Sequence, residues 1–263
     1  MYIYIEIIKR NRIIKFYFFI KYIDKRKKDA YNVIMVIDME VNNPLYKNQG
    51  VHVISSIFTI EKGITKVLLI KRKNEPYKDL WALVGGALYN DEELLDGMNR
   101  EIKEKTGIEN IDIYFSSVFG DVNRSPLKRM IAITYIGIID SNRVEFLKNT
   151  NKTSDADWVS IDKIPQLAYD HNNILNEAIN TLKEKIVETD ILKSLYPEGF
   201  TIPEIQKAYE VILDKKFDRR NFRKKILSIG LIEDTNKTVN FEGKKQAKLY
   251  KFNKRKKENK SVF

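Results

Sequence analysis

The sequence predicts a mixed α/β (α+β) protein with two folded parts, a larger one in which strands and helices alternate and a smaller one of two helices and a β-hairpin. Between residues 50 and 195, strand-like alternation is interleaved with amphipathic segments of helical period. After residue 195, helix-capping residues precede two short helices. The predicted divisions are a basic N-terminal extension at 1–49, a first domain at 50–195, a second domain at 196–253 and a basic tail at 254–263.

The larger domain is predicted to contain six strands and two helices. A turn at 61–63 separates the first two strands, and Gly107 stands where a helix-ending glycine belongs. The predicted strands are Val51–Ile60, Lys66–Lys71, Trp81–Val84, Ile111–Phe119, Met130–Ile139 and Asp157–Ile161, and the predicted helices are Asp91–Thr106 and Asn172–Glu188. Interleaving of this kind is typical of a mixed sheet covered by helices.

The smaller domain begins after the break at 197–199. Thr201 and Glu204 form a capping box for a helix over 202–213, and Asp218 caps a second helix that ends at Ser228. Two short strands follow with a basic tip between them, at Leu231–Asp234 and Ala247–Phe252. Helix, turn, helix and β-hairpin form the order of a winged helix-turn-helix.

The composition excludes several classes of site. The absence of cysteine excludes disulfides and thiolate zinc sites, and two histidines, His52 and His171, are too few for a histidine-rich metal site. The apolar stretch Ile13–Ile23 carries Lys15 and Lys21, is too short to cross a membrane and has no signal-peptide cleavage site after it. We therefore expect a cytoplasmic protein with no membrane partner.

The net formal charge of +11 is unevenly distributed along the chain. Residues 1–34 carry +6, residues 35–198 carry −5 and residues 199–263 carry +10. A uniform lysine bias would not give this pattern, whereas a nucleic-acid-binding module joined to a small-molecule domain would. The charge therefore predicts nucleic-acid binding by the last quarter of the chain.

Residues 1–34 leave several interpretations open. The segment is predicted to be a basic arm without fixed structure, or an over-extended start with Met35 or Met39 as the true first residue. The alternative is an extra strand or an arm that touches DNA. We expect no packed core to depend on this segment.

A regular spacing of charged residues and glycines runs from Gly86 to Ile108. It resembles the Nudix box, in which a glycine, an arginine and several glutamates stand at fixed intervals between a strand and a helix. The matching positions are Gly86, Glu92, Arg100, Glu101, Ile102, Glu104, Gly107 and Ile108. The departure is Lys105, which replaces the last glutamate of the motif. The resemblance implies a Nudix fold, a mixed sheet sandwiched by helices.

The chemistry of the box depends on carboxylates that share one helix face. Glu101 and Glu104 are three residues apart and would hold Mg²⁺ or Mn²⁺ through hard oxygen ligands, as the catalytic pair if the domain is an enzyme. Lys105 puts a positive charge at the same face and can pair with Glu101. We therefore expect metal binding and hydrolysis to be weak or absent.

The remaining ligand-site predictions surround the box. Arg100 is predicted to pair with Glu92 and fix the loop, while Lys105 could reach a ligand phosphate as a substitute for the metal. A further acid outside the box is common in this family, and Asp121, Asp155 and Asp157 stay open as candidates. The predicted ligand-binding residues are Gly85, Gly86, Glu92, Arg100, Lys105 and Arg124.

A second resemblance covers roughly residues 50–253. A Nudix domain followed by a winged helix is similar to the Nudix-related transcriptional regulators of NAD metabolism (the NrtR type) and their pentose-sensing relatives. The segments that carry it are Glu75–Pro76 ahead of Trp81, Asp121–Pro126, Phe217–Lys225 and Ala247–Phe252. It implies an ADP-ribose or related nucleotide-sugar or sugar-phosphate ligand, an operator in double-stranded DNA and a homodimer.

The second helix of the smaller domain has the pattern of a DNA-recognition helix. Phe222, Ile226 and Ile229 form an apolar stripe, which leaves basic side chains on the outward face. Arginine can read guanine and asparagine can read adenine in a major groove, and wing lysines suit phosphate contacts. The predicted DNA-binding residues are Arg219, Arg220, Asn221, Arg223, Lys224, Lys244, Lys245 and Lys248.

Three functions are consistent with these patterns. The leading hypothesis is a ligand-responsive transcriptional regulator whose Nudix-like domain senses ADP-ribose or a related ligand. The alternative is a Mg²⁺-dependent Nudix hydrolase of the ADP-ribose pyrophosphatase type, with Glu101 and Glu104 sufficient for activity. The third is a nucleic-acid-binding hydrolase of RNA ends.

Overall fold

The computed structural model describes residues 49–241 and 245–253, together with the backbone of three strands nearer the N-terminus. The chain divides into two compact units, residues 1–49 and residues 50–263. In the first unit, the strands β1 (Tyr2–Lys9) and β2 (Arg12–Phe19) form an antiparallel hairpin, and β3 (Met35–Val36) pairs with β2. The sequence analysis left an extra strand in this segment open as an alternative, and the structure contains strands there. The predicted tail at 254–263 lies outside the described residues.

A mixed seven-stranded sheet forms the centre of the second unit. Its main path runs β10–β5–β4–β9–β8, with β6 paired to β5 and β7 paired to β4. The pair β4–β9 is parallel, and the other pairs are antiparallel. The strands are β4 (Gly50–Glu61), β5 (Ile64–Arg72), β6 (Trp81–Ala82), β7 (Val84–Ala87), β8 (Ile113–Phe119), β9 (Met130–Ile138) and β10 (Thr153–Ser160).

Two helices, α1 (Leu94–Thr106) and α2 (His171–Glu188), cover the two faces of this sheet. Successive residues of a strand point to opposite faces, so Ile54 and Phe58 join the core under α2 while Val53 and Ile57 join the core under α1. The predicted sandwich of helices around a mixed sheet is confirmed.

The C-terminal part is a winged helix-turn-helix, as predicted. It consists of α3 (Ile202–Leu213), α4 (Arg219–Ser228) and the antiparallel hairpin β11 (Ile232–Phe241) and β12 (Lys245–Phe252). The capping box of α3 and the Asp218 cap of α4 are both present. Its buried aromatic residues Phe200, Tyr209 and Phe222 belong to the same apolar cluster as α2, so the core runs without a break from one part into the other.

Several predicted boundaries differ from the structure. Strand β10 begins at Thr153 rather than at Asp157, and the predicted strand Trp81–Val84 is two short strands, β6 and β7. Helix α1 begins at Leu94 rather than at Asp91, because the Glu92 carboxylate accepts hydrogen bonds from Arg100 and from the Tyr89 backbone and holds the preceding residues in a loop. Strand β11 extends to Phe241, well beyond the predicted Asp234, and a bulge at 234–237 interrupts its register. No helix among the described residues is long and apolar enough to cross a membrane.

Candidate functional site

The glycine pair of β7 brings the strand backbone against α1. Gly85 and Gly86 face Ile54 and Val53 of β4, and a Cβ added at Gly86 would overlap the Glu101 carboxylate. A Cβ added at Gly85 would overlap the backbone of Val53 and Ile54. The lack of side chains at Gly85 and Gly86 therefore lets β7 lie close to both α1 and β4.

Arg100 fixes the loop ahead of α1, as the sequence predicted. Its Nε and Nη2 atoms donate to the two Glu92 carboxylate oxygens at 2.8 and 2.6 Å, and Nη2 also donates to the Ala87 carbonyl at 3.0 Å. The guanidinium lies 3.8 Å from the ring centre of Tyr89. These hydrogen bonds from Arg100 lower the pKa of Glu92 to about 2.

Lys105 and Glu101 form a buried ion pair on α1. The Lys105 Nζ lies 3.0 Å from Glu101 Oε2, at the i,i+4 spacing that the sequence predicted, and it also contacts the Gly85 carbonyl oxygen. Burial lowers the pKa of Lys105, and the Glu101 carboxylate opposes that effect. Burial on its own would raise the pKa of Glu101, but the neighbouring cations outweigh it and the net shift is downward.

A second lysine, Lys152, reaches the same carboxylates from the loop before β10. Its Nζ lies 2.7 Å from Glu104 Oε2 and 3.6 Å from Glu101 Oε1. The sequence analysis did not identify Lys152, because it is 48 residues from Glu104 and outside any motif. The contact depends on how β10 is placed beside α1, which the local pattern does not reveal.

The box does not fit a divalent cation. Arg100 and Lys105 lie 2.7 and 3.0 Å from the two Glu101 oxygens, and Lys152 covers Glu104. Across residues 49–241 and 245–253, no group of three metal-binding side chains comes together. The positive charges occupy the positions from which Glu101 and Glu104 would hold Mg²⁺ or Mn²⁺.

Arg124 forms a buried ion pair with Asp170, the residue before α2. Its Nε and Nη2 atoms each donate to the Asp170 carboxylate at 2.9 Å, and only 3% of its side chain is exposed. The three candidate acids outside the box belong to no metal-binding group among the described residues, and each accepts a hydrogen bond from a backbone amide of its own loop or strand. They are Asp121, Asp155 and Asp157.

Two histidines near the box are held neutral by burial and by neighbouring cations. The pKa of His52 is lowered to about 4, by burial first and then by Arg124 and Lys105. The pKa of His171 is lowered to about 3 by burial and then by Arg124, Arg72 and Lys105, and its Nδ1 accepts a hydrogen bond from the Leu83 amide.

Helix α4 carries an exposed basic face. Phe222 and Ile226 are buried against the core, while all of the helix's arginines and lysines are exposed, together with Asn221. These cations form no ion pair with any described residue, in contrast to the paired cations of the box. The exposed cations are Arg219, Arg220, Arg223, Lys224 and Lys225.

Two lysines of the wing form ion pairs within the β11–β12 hairpin, unlike the cations of α4. Lys248 of β12 lies 2.7 Å from Asp234 of β11, and Lys251 lies 3.1 Å from Glu233. Lys245 begins β12, but its side chain is not described, and the predicted contact residue Lys244 lies outside the described residues.

Two known domain families match this chain. Residues 51–180 match the NUDIX domain, and residues 192–252 match the NrtR DNA-binding winged helix domain. The matched ranges contain the box of α1 and the basic helix α4, respectively. They thus assign the two candidate sites to two different families of domain.

Three individual proteins are informative relatives. The "ADPR responsive transcriptional repressor NtrR" of Acinetobacter baylyi is 31% identical over 86% of this chain and 85% of its own length. The ADP-ribose pyrophosphatase of Methanocaldococcus jannaschii is 34% identical over 45% of this chain and 68% of its own. The crystal structure of Shewanella oneidensis NrtR complexed with a 27mer DNA covers 77% of this chain and 93% of that chain, with 25% identity and a TM-score of 0.65. The chain belongs to the NrtR family of Nudix-related transcriptional regulators.

Proposed function

We propose that this protein is a transcriptional repressor that binds an operator through α4. Its affinity for the operator changes when its Nudix domain binds ADP-ribose or a related nucleotide sugar. The observation that carries the proposal is the contrast between the two sites. The cations of the box are neutralised by glutamates, whereas those of α4 are exposed and unpaired among the described residues. Unpaired arginines on an exposed helix favour contact with a polyanion.

The DNA-binding part of the proposal is supported by the geometry of α4. Its buried face holds it on the core through Phe222 and Ile226, so Arg219, Arg220 and Arg223 can approach a groove without disturbing the fold. The related Shewanella oneidensis protein has been crystallised with DNA. A DNA-binding regulator acts where the chromosome is, so we place the protein in the cytoplasm, and two-fold operators favour a homodimer.

The ligand part rests on the Nudix domain and on the cationic and aromatic groups that lie near its box. Arg72 lies 5.0 Å from the ring centre of Tyr169, and Tyr77 packs on the same ring at 4.6 Å, so cationic and aromatic groups occur together near the box. Groups of this kind suit a nucleotide, with phosphates on the cations and a base on the rings. The Acinetobacter baylyi relative is named as responsive to ADPR, which favours ADP-ribose over a pentose.

The second candidate function is ADP-ribose hydrolysis. It is favoured by the resemblance to the Methanocaldococcus jannaschii pyrophosphatase and by the retention of Glu101 and Glu104. The pairing of both carboxylates with Lys105 and Lys152 opposes it, because the metal-activated water of a hydrolase needs free carboxylate oxygens.

The deciding experiment measures binding of the full chain to the DNA upstream of its own gene by fluorescence anisotropy, with a scrambled duplex as control. ADP-ribose and arabinose are added in parallel, and ADP-ribose consumption is followed in the same preparation. Preferential binding that ADP-ribose alters supports the regulator. Equal binding to both duplexes, together with rapid hydrolysis, would replace it with the enzyme.

A further inference from the structure

Lys152 brings a cation to the Nudix box from outside the motif. Its ammonium group lies between Glu104 and Glu101, at 2.7 and 3.6 Å, and 40% of its side chain is exposed. Lys105 reaches the same carboxylate cluster from within α1, but only 11% of its side chain is exposed. The cluster therefore holds one buried and one solvent-facing ammonium group.

The charges of this cluster balance. The three carboxylates of Glu92, Glu101 and Glu104 face three cations, because Arg100 binds the first two, Lys105 binds Glu101 and Lys152 binds Glu104. A box with a glutamate at position 105 and no second lysine would carry excess negative charge and would attract a divalent cation. Here no excess remains, and an added Mg²⁺ would be repelled by both ammonium groups.

We propose that Lys105 and Lys152 together replace the divalent cation of the Nudix site, so that the phosphates of the ligand bind directly to protein and binding is independent of metal. This inference rests on the proposed function, since it concerns how that same site holds a diphosphate ligand. Lys105 is the buried member and keeps Glu101 and the Gly85 carbonyl in place. Lys152 is the member that contacts the ligand.

The exposure of the Lys152–Glu104 pair allows that role. Glu104 is 38% exposed and Lys152 is 40% exposed, so their ion pair is partly open to solvent, and exposed pairs contribute little stability. A phosphate oxygen can therefore take the place of the Glu104 carboxylate at Lys152 with little loss. A lysine ammonium is a compact point charge that binds phosphate through charge-assisted hydrogen bonds.

The first test is calorimetric titration of ADP-ribose into the full chain, in excess EDTA and again in millimolar Mg²⁺. The expected dissociation constants agree within about twofold. Lys152→Met should weaken binding on the order of tenfold in both buffers, and Lys152→Arg should restore most of it. The matched control is Lys148→Met, which removes an exposed lysine of the same loop that has no ion pair with a described residue.

The second test uses Mn²⁺ alone as a probe, followed by its electron paramagnetic resonance signal. The unmodified protein should leave Mn²⁺ free, and the double variant Lys105→Glu, Lys152→Met should bind it. This readout needs neither ligand nor turnover, and thermal melting of each variant confirms that it is folded.

Three results would overturn the inference while leaving the proposed ligand in place. They are loss of ADP-ribose binding in EDTA with recovery in Mg²⁺, tight Mn²⁺ binding by the unmodified protein, and an unchanged affinity for ADP-ribose in Lys152→Met. Absence of ADP-ribose binding in both buffers would overturn it together with the proposed ligand. Selective operator binding by the same preparation would then still uphold the DNA-binding half of the proposed function, so the two failures are distinguishable.

Discussion

The guanidinium group of Arg124 and the carboxylate of Asp170 form two parallel hydrogen bonds of 2.9 Å. The pair connects the loop between β8 and β9 to the residue that precedes α2. Arg124 was predicted from its motif to bind the ligand, and that stays a prediction. The geometry also gives Arg124 a structural role, because two of its N–H groups already donate to the Asp170 carboxylate.

Arg124→Met should therefore destabilise the fold. Asp170 is 15% exposed and would be left with an uncompensated charge, so we expect a loss of about 3 kcal/mol in the free energy of unfolding. Urea denaturation of the variant measures it, and Lys128→Met, at an exposed lysine of the same loop, is the control. A loss no greater than that of the control would show that the pair contributes nothing.

Local patterns predicted the elements well and the contacts between them poorly. The first residues of α3 and α4 could be predicted from Thr201 and Asp218, because N-capping is decided within one turn of helix. The i,i+4 pair of Glu101 and Lys105 followed for the same reason. Lys152 was missed, because its contact with Glu104 spans 48 residues and is set by the packing of β10 beside α1.

The first functional prediction concerns hydrolysis. The unmodified protein should not hydrolyse ADP-ribose at a measurable rate in millimolar Mg²⁺, whereas Lys105→Glu should gain metal binding or activity because a carboxylate replaces the buried ammonium. Product release measured by chromatography tests this. Lys103→Glu makes the same charge change at an exposed position of α1 and should gain nothing. Turnover by the unmodified protein on the order of 10 per second would contradict the prediction.

The second prediction concerns pH. His171 is buried and its pKa is lowered to about 3, so in the folded state it stays neutral while the unfolded chain takes up a proton below about 6.5. The folded state is therefore destabilised as pH falls from about 6.5 towards 3. At pH 5 this amounts to roughly 2 kcal/mol. His52, with a pKa of about 4, adds to the same trend.

His171→Asn separates this effect from the titration of the carboxylates. Asparagine keeps an acceptor for the Leu83 amide but does not titrate, so the loss of stability between pH 7 and pH 5 should shrink by roughly 2 kcal/mol relative to the unmodified protein. Urea denaturation at the two pH values gives the comparison. An identical pH dependence in both proteins would show that His171 does not remain neutral in the folded state.

The third prediction concerns the N-terminal segment. Residues 1–49 and residues 50–263 are two compact units, and among the residues whose burial the structure describes the core of the second unit begins at Val53. Deleting residues 1–34 should leave the melting temperature of the remaining chain essentially unchanged. Scanning calorimetry of the truncated and full chains measures this. A large fall in the melting temperature would mean that the segment supports the second unit.

The last prediction concerns the DNA interface. Arg223→Ala should weaken operator binding by roughly 1–3 kcal/mol and blur the preference between operator and scrambled DNA, because an arginine on the outward face of α4 can read a base edge. Lys248→Ala should weaken binding to all duplexes about equally and reduce the salt-dependence slope by about one unit, because a wing lysine reaches only the backbone.

The structure sharpens the comparison between these two variants. Lys248 is already paired with Asp234 at 2.7 Å, so a phosphate must displace that carboxylate to bind. Lys248→Ala should therefore lower the affinity for DNA less than Arg223→Ala does. Arg223 has no ion-pair partner among the described residues, so no such ion pair has to break when it binds DNA. Lys163→Ala, at an exposed lysine of the Nudix part, controls for the loss of one positive charge. If Arg223→Ala behaves like this control in both affinity and preference across a salt series, α4 is not the recognition helix.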